Sequence, residues 1–266
     1  MSRRGTKIRR MIQQPDFGPE EGKVYGEALD ALDRSGVRYM LGGALALHTY
    51  TGIWRDTKDL DVFVPEKDVA RVLETLKRAG FETEIAEPHW LAKARKGEFF
   101  IDVIHANDSG TVAVDESWFE NAQEIEVLGR RVRVIPAEEM FLSKIFVASR
   151  DRWDMSDVLH LIFAKRGELE WERILAGVGE HWELLLAHLH LYRYVYPSHT
   201  RYLPRWVLDL LLKRYEEEIE SSPQSPLRFR GTLLDDVSFR ADIEAWDLPD
   251  EHAAIKEARR SGEERG

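Results

Sequence analysis

The chain is predicted to be an α+β protein: a mixed β-sheet core with flanking helices, followed by a mainly helical C-terminal half. Three observations predict this class. Short apolar runs alternate with segments of helical period between Gly36 and Pro136. Two pairs of those runs are split by the turn dipeptides Lys96-Gly97 and Gly129-Arg130, which reads as hairpins. After Pro136 the strand signal stops and helical periodicity takes over.

Each element has its own reason. Residues 20–35 place Val24, Ala28, Leu29 and Leu32 at helical spacing, and Gly36 ends the run. Val37 to Leu41 reads as the first strand, Gly42-Gly43 as a turn, and Ala44 to Tyr50 as a short apolar helix stopped near Gly52. Thr57 to Val64 is the second strand. Pro65 and Glu66 open an amphipathic helix with Val69, Val72, Leu73 and Leu76 inward, ending at Gly80. Phe81 to Ile85 is a strand, Trp90–Arg95 with Glu98–His105 a hairpin, and Glu124–Leu128 with Arg131–Ile135 another. Residues 137–148 and 154–165 are helical, and more helices fill 168–220, broken at Tyr196-Pro197 and Leu203-Pro204. Residues 221–232, with Ser221, Pro223, Ser225 and Pro226, read as a linker, and 250–266 as a charged, frayed end. The expected organisation is a flexible basic lead-in over 1–18, a catalytic domain over 19–136, a helical domain completing the site over 137–222, and a linker with C-terminal extension over 223–266.

Composition narrows the function. With 43% apolar and 32% charged residues the 266-residue chain reads as soluble and globular, and no apolar run is long enough to span a bilayer. The basic stretch Met1–Arg10 has no apolar segment behind it, so it is not a secretory signal. The absence of cysteine excludes disulfides and thiolate metal sites and fits a reducing cytoplasm. A net charge of −10 argues against broad nucleic-acid binding. Arg55, Lys58, Lys93, Arg95 and Lys96, and again Arg130, Arg131 and Arg133, are read as solvated faces, with a local basic groove as the alternative.

The chemistry concentrates in Leu41-Gly42-Gly43-Ala44 and, after a spacer of 15 residues from Gly43, Asp59-Leu60-Asp61-Val62. Carboxylates at i and i+2 of a strand share a face. Their repulsion is relieved by a divalent cation, for which carboxylate oxygens are suited ligands. The glycine pair offers backbone amides to phosphate oxygens. A third carboxylate, Asp102, sits in the apolar run Phe99-Phe100-Ile101-Asp102-Val103-Ile104. Thr57 shares the Asp59 face, and Arg55 just before the strand is a multi-donor cation for phosphate or an ion pair.

On these residues the chain resembles the nucleotidyltransferase superfamily built on the DNA polymerase β-type catalytic fold. Within it, the chain is most similar to AbiEii-type and related stand-alone bacterial enzymes, whose later Lys, Arg and Asp-x-x-Asp segment is matched by Lys144, Arg150, Asp154 and Asp157. The resemblance covers about residues 36–165. It implies a mixed-sheet nucleotidyltransferase core and Mg²⁺ held by Asp59, Asp61 and Asp102. It also implies an NTP held by Gly42, Gly43, Arg55, Thr57 and Lys144. Asp102 would favour deprotonation of the acceptor hydroxyl, and Asp154 and Asp157 would orient Lys144 or Arg150. The acceptor it implies is tRNA or a protein in the toxin-like class, with an antitoxin partner, or a small antibiotic-type molecule; a non-catalytic nucleotide sensor is the remaining alternative. His181, His188, His190 and His199 lack metal-ligand spacing and read as packing histidines. Trp153, Trp171, Trp182 and Trp206 read as helical core or interface rather than as platforms for a base.

Overall fold

The computed structural model describes residues 17–55, 57, 59–220 and 229–261. Lys58, almost all of the basic lead-in and most of the expected linker lie outside them.

Seven strands form one mixed sheet in the order β3-β4-β5-β2-β1-β7-β6. They are β1 (Met40–Leu41), β2 (Asp59–Phe63), β3 (Glu82–Glu87), β4 (Leu91–Lys96), β5 (Phe99–Ile104), β6 (Gln123–Val127) and β7 (Arg130–Val134). β2 runs parallel to β5 and β1 parallel to β7; the other pairs are antiparallel. Both expected hairpins form, as β4–β5 and β6–β7. The first strand is shorter than the expected Val37–Leu41: only Met40 and Leu41 pair, each with β2 or β7.

The helices of the catalytic half are α1 (Pro19–Ser35), α2 (Gly43–Thr51), α3 (Val69–Arg78) and α4 (Glu116–Asn121). α1 opens as its sequence dictates. Pro19 occupies the first turn, and the Glu21 carboxylate accepts the Gly18 N–H at 3.1 Å. α4 was not expected; Asp115 caps it by accepting from Ser117 N at 2.8 Å.

Strand alternation sets the position of the site. On β2, Leu60 and Val62 are buried with Ile101 and Val103 of β5 against Leu29, Leu32, Val72 and Leu76 of α1 and α3. Asp59, Asp61 and Phe63, with Asp102 and Ile104, therefore look to the opposite face. The helical half covers that face. It comprises α5 (Ala137–Lys144), α6 (Met155–Ala164), α7 (Trp171–Val178), α8 (Trp182–Val195) and α9 (Arg205–Glu220). One core cluster joins Met40, Phe63 and Ile104 of the sheet to Phe141, Ile145, Ile162 and Leu185 of these helices, so packing is continuous across Pro136. α5 stops at Lys144 instead of 148, because the chain turns there and Ala148 bridges Trp153.

Residues 250–260, expected to be frayed, are an ordered helix and its cap, and 262–266 lie outside the described residues. Residues 229–261 form a strap with α10 (Arg240–Trp246) and α11 (Glu251–Arg260). α11 buries His252 and Ile255, is capped by Asp250, and its Arg259 donates to the Gly110 carbonyl at 2.7 Å. Its two buried positions lie three apart within a charged helix, a stripe too narrow to stand out in the sequence.

Candidate active site

The two glycines do different work. Gly42 N–H donates to Asp61 O at 3.0 Å, so this amide belongs to the sheet and is not open to a phosphate. A Cβ on Gly42 would stand 2.1 Å from the Phe63 ring. Gly43 has φ +51°, and a Cβ there would lie 1.7 Å from Asp61 Oδ2. Glycine at 43 thus supplies a left-handed conformation and the space that the Asp61 carboxylate fills. Of the pair, the Gly43 amide at the start of α2 is the one left to face an anion, with Ala44 behind it.

Asp61 and Asp102 are register partners on the parallel strands β2 and β5, and Asp59 lies one pleat back on the same face. Thr57 fixes Asp59 by donating its hydroxyl to Oδ1 at 2.6 Å. The Asp61 pKa is pushed up to about 7 by burial, then by the charges of Asp59 and Asp102. Asp102 is buried and its pKa also lies above the usual carboxylate range, raised by burial and partly drawn back by Lys93. Lys93, its cross-strand neighbour on β4, brings Nζ to 3.1 Å from Asp102 Oδ1.

Across the cavity stands a second set of carboxylates with the opposite balance. Lys144 Nζ, at the end of α5, lies 2.6 Å from Asp154 Oδ2 and 2.8 Å from Asp157 Oδ2. Arg55 Nη1 reaches Asp157 Oδ1 at 2.6 Å, and Arg152 grips Asp154 through Nε at 3.1 Å and Nη2 at 2.8 Å. Burial raises the Asp154 pKa, but Arg152 and Lys144 outweigh it and hold the carboxyl below its ordinary value. Asp154 precedes α6 at the N-cap position, yet its side chain is given to the two cations and not to the helix.

The cavity between the two sets has a volume of about 460 Å³ and is lined by every sequence-predicted site residue except Gly42 and Arg150. Arg150 does not line it; its side chain is exposed and its backbone N–H donates to Asp235 Oδ2 at 2.9 Å. Arg152, two residues on, occupies the position expected for it. No sequence signal separates the two arginines; the turn after α5 brings Arg152 onto Asp154. Trp90, Asn107, Asp108 and Leu234 also line the cavity and were not anticipated. His188 is a packing histidine, its Nδ1 donating to Leu184 O at 2.8 Å. Trp171 and Trp182 are core, whereas Trp153 and Trp206 are exposed.

The donor chemistry on the sheet suits a hard divalent cation: three carboxylates line one cavity, and their crowding helps raise the Asp61 pKa. Among the described residues, the one acidic group whose ligand atoms already lie within 4.8 Å of one another is elsewhere, at Glu180, His181 and Glu251. There Arg230 pairs with both glutamates, at 2.6 and 3.0 Å, so one of the two negative charges is already met by a guanidinium. In the cavity, Lys93 holds Asp102 and Thr57 holds Asp59, and gathering the three carboxylates round one ion requires these side chains to turn.

A sheet of this topology, with a glycine turn beside paired strand carboxylates, defines a nucleotidyltransferase, a transferase enzyme. The chain belongs to the family described as uncharacterised nucleotidyltransferase, whose model matches residues 25–195. No curated protein matches it. Among solved structures it is similar to the antibiotic-resistance factor ANT(2'')-Ia, at 17% identity, over 66% of this chain and 98% of that one, with a TM-score of 0.46. It is also similar to the lincosamide antibiotic adenylyltransferase LnuA bound to lincomycin, at 19% identity, over 52% and 94%, with a TM-score of 0.39. A third is JHP933 from Helicobacter pylori, at 14% identity, over 74% and 94%, with a TM-score of 0.39. No helix among the described residues is long and apolar enough to cross a membrane.

Proposed function

We propose that the chain is a cytoplasmic, Mg²⁺-dependent nucleotidyltransferase that moves a nucleoside monophosphate from an NTP to a hydroxyl acceptor. The observation that carries this reading is the register pairing of Asp61 with Asp102 beside a glycine whose missing Cβ makes room for Asp61. Asp59, Asp61 and Asp102 would hold Mg²⁺. Bound there, Mg²⁺ would neutralise the triphosphate and lower the pKa of the acceptor hydroxyl.

The chain's own residues do the rest. The Gly43 amide and the positive end of α2 receive triphosphate oxygens, and Arg55, Lys144 and Arg152 add positive charge from the helical side. Asp102 takes the acceptor proton. The acceptor oxygen forms a bond to the α-phosphorus as the α–β bridging bond breaks, and pyrophosphate leaves with the electron pair. The helical segment 137–222 completes the site by supplying Lys144 and the two aspartates that hold it.

The toxin-like reading makes the acceptor tRNA or a protein, with an antitoxin as partner. The charge of the cavity favours the small-molecule alternative. Six carboxylates line it against Arg55, Lys144 and Arg152, which suits a small or cationic acceptor better than a polyanion. The test offers each α-³²P-labelled NTP with Mg²⁺ to total tRNA, a bacterial lysate and an aminoglycoside–lincosamide panel, with Asp61→Asn as control. Label on one acceptor, lost in the variant, is the expected result. NTP·Mg²⁺ binding with no label anywhere would favour a nucleotide sensor; equal labelling by Asp61→Asn would sink the mechanism.

A further inference from the structure

We propose that Asp235 is a positioning residue for the nucleotidyl transfer: from the C-terminal strap it holds the turn after α5 so that Arg152 is presented to the triphosphate. Residues 229–261 then form a working part of the active site. This rests on the nucleotidyltransferase reading above and deepens it.

Arg152 needs support to keep its place. Its side chain is 66% exposed, so little packing fixes it, and an ion pair made by so exposed a cation contributes modestly by itself. Yet it stands where positive charge is wanted. Asp154 does most to keep the guanidinium protonated, and Asp61 and Asp59 across the cavity act in the same direction. The aim of the side chain is therefore set by the backbone beneath it, the turn 147–154. Asp154 N–H closes that turn by donating to Val147 O at 3.1 Å, and within it Ser149 Oγ accepts from Arg152 N at 3.1 Å. The tip, residues 149–152, belongs to no helix or strand.

Asp235 supplies the hold. It is buried, and its two oxygens divide the work. Oδ1 accepts from Val237 N and Ser238 N, both at 3.0 Å, and closes a turn of the strap itself. Oδ2 reaches out of the strap to Arg150 N at 2.9 Å, on the tip that carries Arg152. Hydrogen bonds from Ser238 first, then from Arg150 and Val237, hold this carboxyl down at about 2, so it stays an ionised acceptor at neutral pH. The strap is anchored away from the turn. Arg230 pairs with Glu180 at 2.6 Å at one end, and Arg259 donates to Gly110 O at 2.7 Å at the other. Leu233 and Ile255 enter the core between them. Leu234, next to Asp235, lines the cavity with Ser149 and Arg152.

The test uses the full chain with Mg²⁺ and each of the four α,β-methylene nucleoside triphosphates, which bind but do not transfer. They are titrated calorimetrically into wild type, Asp235→Asn, Arg152→Met and the double variant. Asp235→Asn keeps one carbonyl oxygen for the Val237–Ser238 turn but sets an amide donor against Arg150 N–H. Asp235→Ser, too short to reach Arg150, takes its place if Asp235→Asn does not fold. Asp235→Asn should bind the nucleotide that wild type holds most tightly at least fivefold more weakly, with a native circular dichroism spectrum. Arg152→Met should bind it at least as weakly, and adding Asp235→Asn to Arg152→Met should cost less than a further twofold, which a merely structural role would not produce. Affinity within twofold of wild type in Asp235→Asn, or the same loss with and without Arg152, overturns the proposal while leaving nucleotidyl transfer intact. Wild type that binds none of the four nucleotides overturns the underlying reading, and this inference with it.

Discussion

Two sets of carboxylates face each other across one cavity, and they differ in how their charge is met. Asp59, Asp61 and Asp102 on the sheet are three acids with one ammonium, Lys93, at its edge. Asp154 and Asp157 on the helical side are two acids held by Lys144, Arg55 and Arg152. The same residue type does opposite things. The sheet set stores unmet negative charge, seen in the raised pKa of Asp61, and is fit to take up a cation. The helical set spends its charge holding three cations at the cavity wall, where they can meet phosphate.

The largest effect expected from breaking this contrast is on transfer. Asp61→Asn should lower the rate of label transfer on the order of 10³-fold or more while the circular dichroism spectrum stays native, since it removes a charge needed only for chemistry. Lys144→Met should act mainly on the fold. It leaves Asp154 and Asp157 buried and short of a counter-ion, so urea denaturation should show a loss of about 3 kcal/mol. Asp61→Asn should show the opposite sign in the same experiment without metal, a gain of ~1–2 kcal/mol at pH 7.5, because it relieves a crowded carboxylate.

Gly43→Ala sharpens the sheet side. It combines a positive φ with a steric overlap on Asp61, and should cost about 1–3 kcal/mol of stability together with most of the activity.

Buried histidines and buried acids pull stability against pH in opposite directions, His89 and His105 on one side and Asp61 and Glu139 on the other. Burial depresses His105 to about 4, so its contribution is present above the unfolded value and is lost as pH falls through the folded one. Burial lifts Glu139 to about 7 despite Arg173, so its contribution is full below the ordinary carboxylate range and is lost as pH rises through 7. Denaturation at pH 5 and pH 7.5 should therefore differ little in wild type. His105→Gln should gain ~1 kcal/mol at pH 5 relative to pH 7.5. An unchanged difference between the two pH values would show that His105 is not buried neutral.

The smallest effect belongs to Lys93. Lys93→Met should tighten Mn²⁺ binding a few-fold, read by electron paramagnetic resonance, by releasing Asp102 from its ammonium; weaker binding would show that Lys93 presents Asp102 to the ion.

Much of this was legible in the chain. The alternation in Asp59-Leu60-Asp61-Val62 and Ile101-Asp102-Val103-Ile104 fixes which side chains share a face, because a strand has period two and its apolar positions must face α1 and α3. The resemblance pointed Asp154 and Asp157 at Lys144 or Arg150, and only the fold brings Lys144 between them. What was not readable depends on long-range contacts. Arg150 and Arg152 are alike in sequence, and only the turn after α5 sends one to solvent and the other to Asp154. The Gly42 amide looked like a phosphate donor until β1 paired with β2. The docking of α11, with Arg259 on Gly110 some 149 residues away, has no local signature at all.

The most direct test of the contrast is Mn²⁺ binding in the presence of an α,β-methylene NTP, measured on wild type, Asp61→Asn and Asp154→Asn. The account predicts that Asp61→Asn loses at least tenfold in Mn²⁺ affinity and that Asp154→Asn keeps wild-type affinity for the metal while weakening the nucleotide. Loss of the metal in Asp154→Asn, with Asp61→Asn unaffected, would place the ion on the helical side and contradict it.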